Sequence, residues 1–328
     1  MKKASFFSQN DNLSVNCKLC PQNCVIPNHE AGFCQIRYNK EGILYTENYE
    51  QVSSISIDPI EKKPLYHFLP ESDILSVGTF LCNLQCNFCQ NWSISQKKVH
   101  TQTYTSINLL NYLKENENLK SIAYTYNEPV IWYEFVYDTA KLLHENGYLN
   151  VMVTNGFINQ KPLEELLPFI DAFNVDLKAY NNDFYKTQCS GRLQPVLNSI
   201  ETIFKSGKII EITNLLIPGL NDSNEDITNL VDFIYNLSPD IPLHFSRYHP
   251  EFKCNIAPTN INSLKRAYNL AKEKLNNVYA GNTNNEELNS SFCSKCGEMN
   301  VKRRGYLTEN YLDKNKCNNC KNEVYGYF

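Results

Sequence analysis

The sequence predicts an α/β fold: a full or partial β/α barrel of the TIM type, flanked by an N-terminal cysteine-rich segment and a C-terminal zinc-ribbon-like domain. Three observations predict it. From about Ile74 to Asn282, β-rich apolar runs alternate with amphipathic stretches. The polar residues of that region cluster where the apolar runs end. All cysteines except Cys189 and Cys254 fall into three groups, one near each end and one after the first apolar run.

In chain order, residues 1–73 read as a cysteine-rich metal-binding segment, with Cys17, Cys20, Cys24 and Cys34 spaced Cys-x2-Cys-x3-Cys-x9-Cys. Four thiolates close a zinc site or hold a second iron–sulfur cluster, and spacing does not separate the two. A metal gives folding free energy to a segment that lacks its own core. Unligated, packed cysteines are the plainer alternative.

Residues 74–285 form the predicted barrel. Its strands are ILSVGT (74–79), SIAYTY (121–126), NVMVTN (150–155), AFNVDLK (172–178), IIEITNLLIP (209–218), IPLHFSRYH (241–249) and NVYAGN (277–282). They are continuously apolar rather than alternating, as strands covered on both faces are. Between them lie helical patterns. NEPVIWYEFVYDTAKLLHENG has Pro129 near its start and Gly147 as its stop. SNEDITNLVDFIYNL opens on Ser223 as N-cap, with Glu225 and Asp226 in the first turn. Such alternation implies parallel strands and right-handed crossovers. An open doubly wound sheet satisfies the same periodicity.

Residues 286–328 carry Cys293-x2-Cys296-x20-Cys317-x2-Cys320. Paired knuckles at this spacing read as a zinc ribbon, with a rubredoxin-like iron site as the alternative. Lys302, Arg303 and Arg304 sit in the intervening hairpin. They are either a small nucleic-acid contact or, more simply, a solvated face.

Composition bounds the function. The 328 residues are 42% apolar and 20% charged with net charge −4, so no basic field attracts nucleic acid or acidic lipid. No run approaches the roughly 18 apolar residues of a membrane span, and the N-terminus lacks a signal-peptide core. A cytoplasmic protein is expected, whose thirteen cysteines, eleven of them in the three groups, argue for metal binding more than for disulfides.

The central group, Cys82-x3-Cys86-x2-Cys89, has three thiols where a closed zinc site wants four. Three thiolates can grip a [4Fe–4S] cube and leave one iron open for a small molecule. The bland alternative is a zinc knob completed by a distant histidine or by Cys189. In a barrel, the ends of the strands form one mouth. The triplet, TYNEP, TNG, DLK, PGLND and RYHP all lie at such ends.

These motifs, CNLQCNFCQNW with YTYNEPVIWYE and DLKAY, resemble the radical S-adenosylmethionine (SAM) superfamily, in its pyruvate formate-lyase activating enzyme branch. With the N-terminal CKLCPQNCVIPNHEAGFCQIR, the whole chain most closely resembles the radical SAM enzyme of the AmmeMemoRadiSam system. The resemblance implies a [4Fe–4S] cluster on Cys82, Cys86 and Cys89. It also implies reductive cleavage of SAM and abstraction of a substrate hydrogen, with an electron donor such as flavodoxin or ferredoxin. Modification of a partner protein or small molecule is the expected outcome, with Memo-like and AMMECR-type proteins as partners. Activation of a glycyl-radical enzyme is the alternative, and a non-catalytic metal-binding scaffold or nucleic-acid-binding protein the alternative of another class. The Gly-Gly-Glu turn of the superfamily reads Tyr126-Asn127-Glu128-Pro129 here, without the glycines. The implied SAM contacts are Asn127, Glu128, Asn155, Asp176, Lys178, Asn221 and His249. Asn127 also reads as a helix N-cap and Asp176–Lys178 as a rim ion pair. His244 is expected to be structural. Cys189, after DLK, is either a hydrogen-atom donor or a buried inert thiol.

Overall fold

The computed structural model describes residues 1–283 and 285–328. Its centre is an eight-stranded sheet. The strands are β1 (Ser54–Pro59), β2 (Asp73–Gly78), β3 (Ser121–Tyr124), β4 (Leu149–Thr154), β5 (Ala172–Asp176), β6 (Ile209–Leu216), β7 (Leu243–Arg247) and β8 (Val278–Gly281). Their spatial order follows their sequence order from one edge to the other. β2 through β8 pair in parallel, and β1 pairs antiparallel to β2.

Seven strands lie where their apolar runs place them. The eighth, β1, reads Ser-Ile-Ser-Ile-Asp-Pro and carries too little apolar continuity to announce itself. It brings residues from the N-terminal stretch into the central sheet. A sequential order has no reversal point, and right-handed crossovers then keep every helix on one face. This removes the doubly wound alternative, which needs a reversal. The full barrel is also not formed. β1 and β8 each have a single strand partner, so the sheet is open.

The longer helices are α1 (Ser106–Glu115), α2 (Tyr133–Glu145), α3 (Gln160–Leu166), α4 (Asn182–Cys189), α5 (Leu193–Lys205), α6 (Asn224–Leu237) and α7 (Ile261–Lys272). Pro129 opens a 3-10 turn that leads into α2, and Gly147 ends it at φ +81°. Ser223 caps α6 by accepting from the Asp226 N–H at 3.0 Å. The helices bury apolar stripes: Val196, Ile200 and Ile203 of α5 and Ile227, Leu230 and Ile234 of α6 are all buried. Among the described residues, no helix is long and apolar enough to cross a membrane.

After β8, Ser291–Phe292, Met299–Arg304 and Leu307–Asn310 make a small antiparallel sheet. Its arginines do not form a basic patch. Arg303 is fully buried, lies over the Tyr66 ring at 4.1 Å and donates to the Tyr66 carbonyl at 2.6 Å. Lys302 and Arg304 both pair with Glu286. The hairpin is thus a bracket against the main body, and the nucleic-acid reading of these residues has no free charge to use.

Candidate active site

The cysteine triplet sits in the loop that leaves β2. Gly78 ends the strand, and a Cβ there would lie 2.6 Å from the Thr125 carbonyl oxygen. Only glycine lets the ends of β2 and β3 approach so closely. Asn127 then clamps the loop: its Oδ1 accepts from the Thr79 N–H at 3.1 Å and its Nδ2 donates to the Leu81 carbonyl at 2.8 Å. Further on, the Gln85 and Asn87 N–H groups donate to the Cys189 and Gln188 carbonyls at the end of α4, both at 2.9 Å. Phe88 packs on Phe184 with centroids 5.6 Å apart.

Cys82, Cys86 and Cys89 line one cavity of about 390 Å³ at the C-terminal edge of the sheet. Asn127, Glu128, Asn155, Asp176 and Lys178 line it too. The size suits a cofactor-sized molecule. Cys82 accepts from the Leu84 N–H at 3.4 Å and from Asn155 Nδ2 at 3.6 Å. Burial, and then the Glu128 charge, push its thiol well up. No three of these sulfurs lie within 4.8 Å of one another, unlike the C-terminal four. That wide spacing suits a cluster whose thiolates bind different irons, not a single zinc ion.

The other predicted residues divide by role. Asp176 ends β5 and Lys178 lies two residues beyond; they pair at 3.1 Å and face the cavity, with the Asp176 side chain 40% exposed. Burial works to lower Lys178, but the charges of Asp176 and Cys86 outweigh it and hold the ammonium on. Glu128 is buried and fully engaged. Its Oε1 accepts from Val130 N–H and the Thr154 hydroxyl and its Oε2 from Asn155 N–H, at 2.7 to 2.9 Å. Burial still pushes its carboxyl up to about 7. Asn155 donates to Asn83 Oδ1 at 2.9 Å as well as to Cys82. Glu128 and Asn155 therefore hold the ends of β3 and β4 against the triplet loop.

Three predicted residues stand off the cavity wall. Asn221 is buried and spends its amide on the carbonyls of Lys178 and Leu215, at 2.7 and 2.9 Å. It shapes the turn after β6 and steadies the segment carrying Lys178. His249 is exposed and meets Gln90 at 3.3 Å, at the rim beside Cys89. Cys189 is wholly buried, with its thiol against that of Cys86 and without a place in the cavity lining. His244 has the structural place expected of it: it pairs with Glu211 at 2.6 Å inside the core.

Two cavity groups, Tyr126 and Lys63, and the buried Asp58 that joins them carried little signal in the sequence. Tyr126 stands where the superfamily turn has glycine, and it adopts φ +71°. Its hydroxyl donates to Asp58 at 2.6 Å. Lys63, buried, pairs with Asp58 at 2.6 Å and lies 4.8 Å from the Tyr126 ring. Asp58 lies near the end of β1, so a strand that its apolar residues did not announce sets the conformation of this turn. No spacing rule links positions 58, 63 and 126; only the pairing of β1 with β2 brings them together.

The two outer cysteine groups differ in geometry. Cys293 and Cys320 are 3.6 Å apart, Cys296 and Cys317 3.7 Å, and all four sulfurs lie within 4.8 Å. This is a C-terminal four-cysteine cluster ready for one ion. The main-chain N–H of Glu298 holds the Cys296 thiol down at about 7. Cys17, Cys20, Cys24 and Cys34 instead surround a small apolar cavity that Asn83 also lines.

Residues 76–234 match the model of the Radical SAM superfamily. The chain belongs to the radical SAM superfamily. Over 308 residues it is 41% identical to an uncharacterized protein of Methanocaldococcus jannaschii, covering 92% of each chain. The pyruvate formate-lyase-activating enzyme of Clostridium pasteurianum is 24% identical, over 51% of this chain and 72% of that one. This radical SAM enzyme is therefore homologous to the activating-enzyme branch. In fold it resembles the radical SAM methyltransferase from Sphaerobacter thermophilus, with TM-score 0.52, 16% identity and 71% of each chain covered. Family membership implies a [4Fe–4S] cluster and SAM. The buried, wide-set thiols and the N–H donors aimed at Cys82 fit the former, and the Asp176–Lys178 pair over the same cavity fits the latter.

Proposed function

We propose that this radical SAM enzyme cleaves SAM reductively over the triplet loop and uses the product to take a hydrogen from a substrate. One observation carries this reading: the three cysteines and the Asp176–Lys178 pair line the same 390 Å³ cavity. When bound on Cys82, Cys86 and Cys89, a [4Fe–4S] cluster supplies the electron that splits SAM into methionine and a 5′-deoxyadenosyl radical. The rest falls to the chain. Asp176, half in water, accepts from the SAM ammonium. Lys178 attracts its carboxylate, and the charges of Asp176 and Cys86 hold its ammonium on. Asn127 acts mainly through the loop it clamps, while Glu128 and Asn155 fix the strand ends behind Cys82. His249 and Gln90 form the rim against which a nucleoside rests.

The altered turn at Tyr126-Asn127, together with the two outer cysteine groups, favours modification of a partner protein or small molecule, an oxidoreductase-type reaction. In the AmmeMemoRadiSam setting the partners are Memo-like and AMMECR-type proteins, with flavodoxin or ferredoxin as donor. The C-terminal four cysteines hold zinc in this reading, in a ribbon-like domain of residues 286–328. Homology to the pyruvate formate-lyase-activating enzymes supports a second reading, activation of a glycyl-radical enzyme.

The test is direct. Loaded anaerobically with iron and sulfide, reduced with dithionite and given SAM, the enzyme should release 5′-deoxyadenosine and methionine. No product above a Cys86→Ala control would overturn the reading. A glycyl-radical signal on an added partner enzyme would favour the second reading over the first.

A further inference from the structure

The N-terminal cysteines are the chemistry that the site above leaves unused. Cys17 ends a short strand, Val15–Cys17, and its N–H donates to the Cys24 carbonyl at 2.9 Å. Cys20, Cys24 and Cys34 complete the wall of the small apolar cavity. Their spacing differs from that of the C-terminal four. Thiolates at about 2.3 Å from one zinc stand about 3.8 Å apart, which is the C-terminal geometry. No three of the N-terminal sulfurs lie within 4.8 Å of one another. They share this wide spacing with the triplet.

A second observation points to a charged occupant. Arg37 borders the cavity and is 1% exposed, and its Nε has no hydrogen-bond partner. Its Nη2 donates to both Glu134 carboxylate oxygens at 2.9 Å, and its Nη1 to the Ser5 carbonyl at 3.1 Å. A buried N–H left open costs free energy unless something within the cavity accepts from it. The Phe33 N–H already points at Cys24 Sγ at 3.4 Å. The main-chain N–H groups of Leu19, Gln22 and Ile36 face Cys17, Cys20 and Cys34. Anionic sulfur is what all these donors suit.

The cavity also lies directly behind the triplet. Asn83 lines it while following Cys82 in the chain, and Gln22 donates to the Asn83 carbonyl at 3.0 Å. We propose that Cys17, Cys20, Cys24 and Cys34 hold an iron–sulfur cluster rather than zinc, separated from the triplet site by Asn83.

The test uses the full chain with Cys82, Cys86 and Cys89 all replaced by alanine, loaded anaerobically with iron and sulfide. About four irons with four labile sulfides, or two with two, supports the proposal. An added zinc ion beyond the C-terminal one, or a single iron without sulfide, overturns it. Should this variant not fold, the unaltered chain decides. About eight or six irons supports the proposal, and about four irons with two zinc ions overturns it. In the reduced, fully loaded chain, two neighbouring paramagnets should broaden each other's electron paramagnetic signal, and the triple variant should lose that broadening. Because the triple variant lacks the triplet, its iron count is independent of whether SAM is cleaved.

Discussion

At the residue scale, what matters is which side chains touch the reacting molecules and which hold others in place. Asp176 is the half-exposed carboxylate of the cavity. Asp176→Asn should weaken SAM binding about tenfold to a hundredfold by titration calorimetry, since hydrogen bonds to charged groups contribute about 1.5–3 kcal/mol. Asn155 acts on the thiol, donating to Cys82 at 3.6 Å. Asn155→Asp replaces that donor with an acceptor. It should lower the reduction potential of the loaded enzyme by on the order of 60–130 mV in a potentiometric titration. Asp176 and Lys178 were legible because strand alternation puts both on one face at a strand end. The engagement of Asn155, Asn221 and Glu128 with the protein itself was not legible. A polar residue after a strand reads the same whether its partner is a ligand or a neighbouring main chain.

Elements carry the site through their ends. The β2–β3 junction depends on Gly78, whose missing Cβ leaves room for the Thr125 carbonyl. Gly78→Ala should cost about 1–3 kcal/mol in denaturant unfolding and lower the iron bound per chain, because the strand ends must part. Seven strands announced themselves through continuous apolar runs. β1 did not, because an antiparallel edge strand of Ser-Ile-Ser-Ile-Asp-Pro needs only one covered face. Its end nevertheless supplies Asp58, whose carboxylate is held well below its usual range. Burial would raise it, but Lys63, Tyr126 and Lys62 win. Tyr126→Phe should therefore destabilise by about 1 kcal/mol, read as a shift in the unfolding midpoint. Sequence periodicity alone could not tell an open sheet from a closed one, since closure depends on whether the first and last strands meet.

For the whole molecule, the buried His67 ties together distant parts of the chain. Its N–H donates to Glu211 at 2.7 Å, its Nε2 meets the Tyr279 hydroxyl at 2.6 Å and its Nδ1 meets the Tyr325 carbonyl at 2.7 Å. Burial lowers this imidazole from 6.5 to about 4. The unfolded chain takes up a proton before the folded one does. His67 thus contributes stability that is fully present above about pH 6.5 and is lost as pH falls towards 4. Over that window the unfolding free energy should drop by about 3 kcal/mol, and His67→Gln should flatten the slope. The C-terminal cysteines give a separate handle. Cys317→Ser should release one metal ion per chain and lower the unfolding temperature, as measured by metal analysis and calorimetry.

That imidazole has a consequence in time as well as in space. Its carbonyl partner at Tyr325 lies 258 positions further along, and Tyr327 N–H returns to the His67 carbonyl at 2.8 Å. During synthesis, β3 to β8 can assemble as they emerge, but the partners of His67 are incomplete until residues 325–327 have been made. Contacts so distant along the chain form late and slowly. The segment 325–327 acts as a latch, and a chain without it would leave the His67 carbonyl and Nδ1 without these partners.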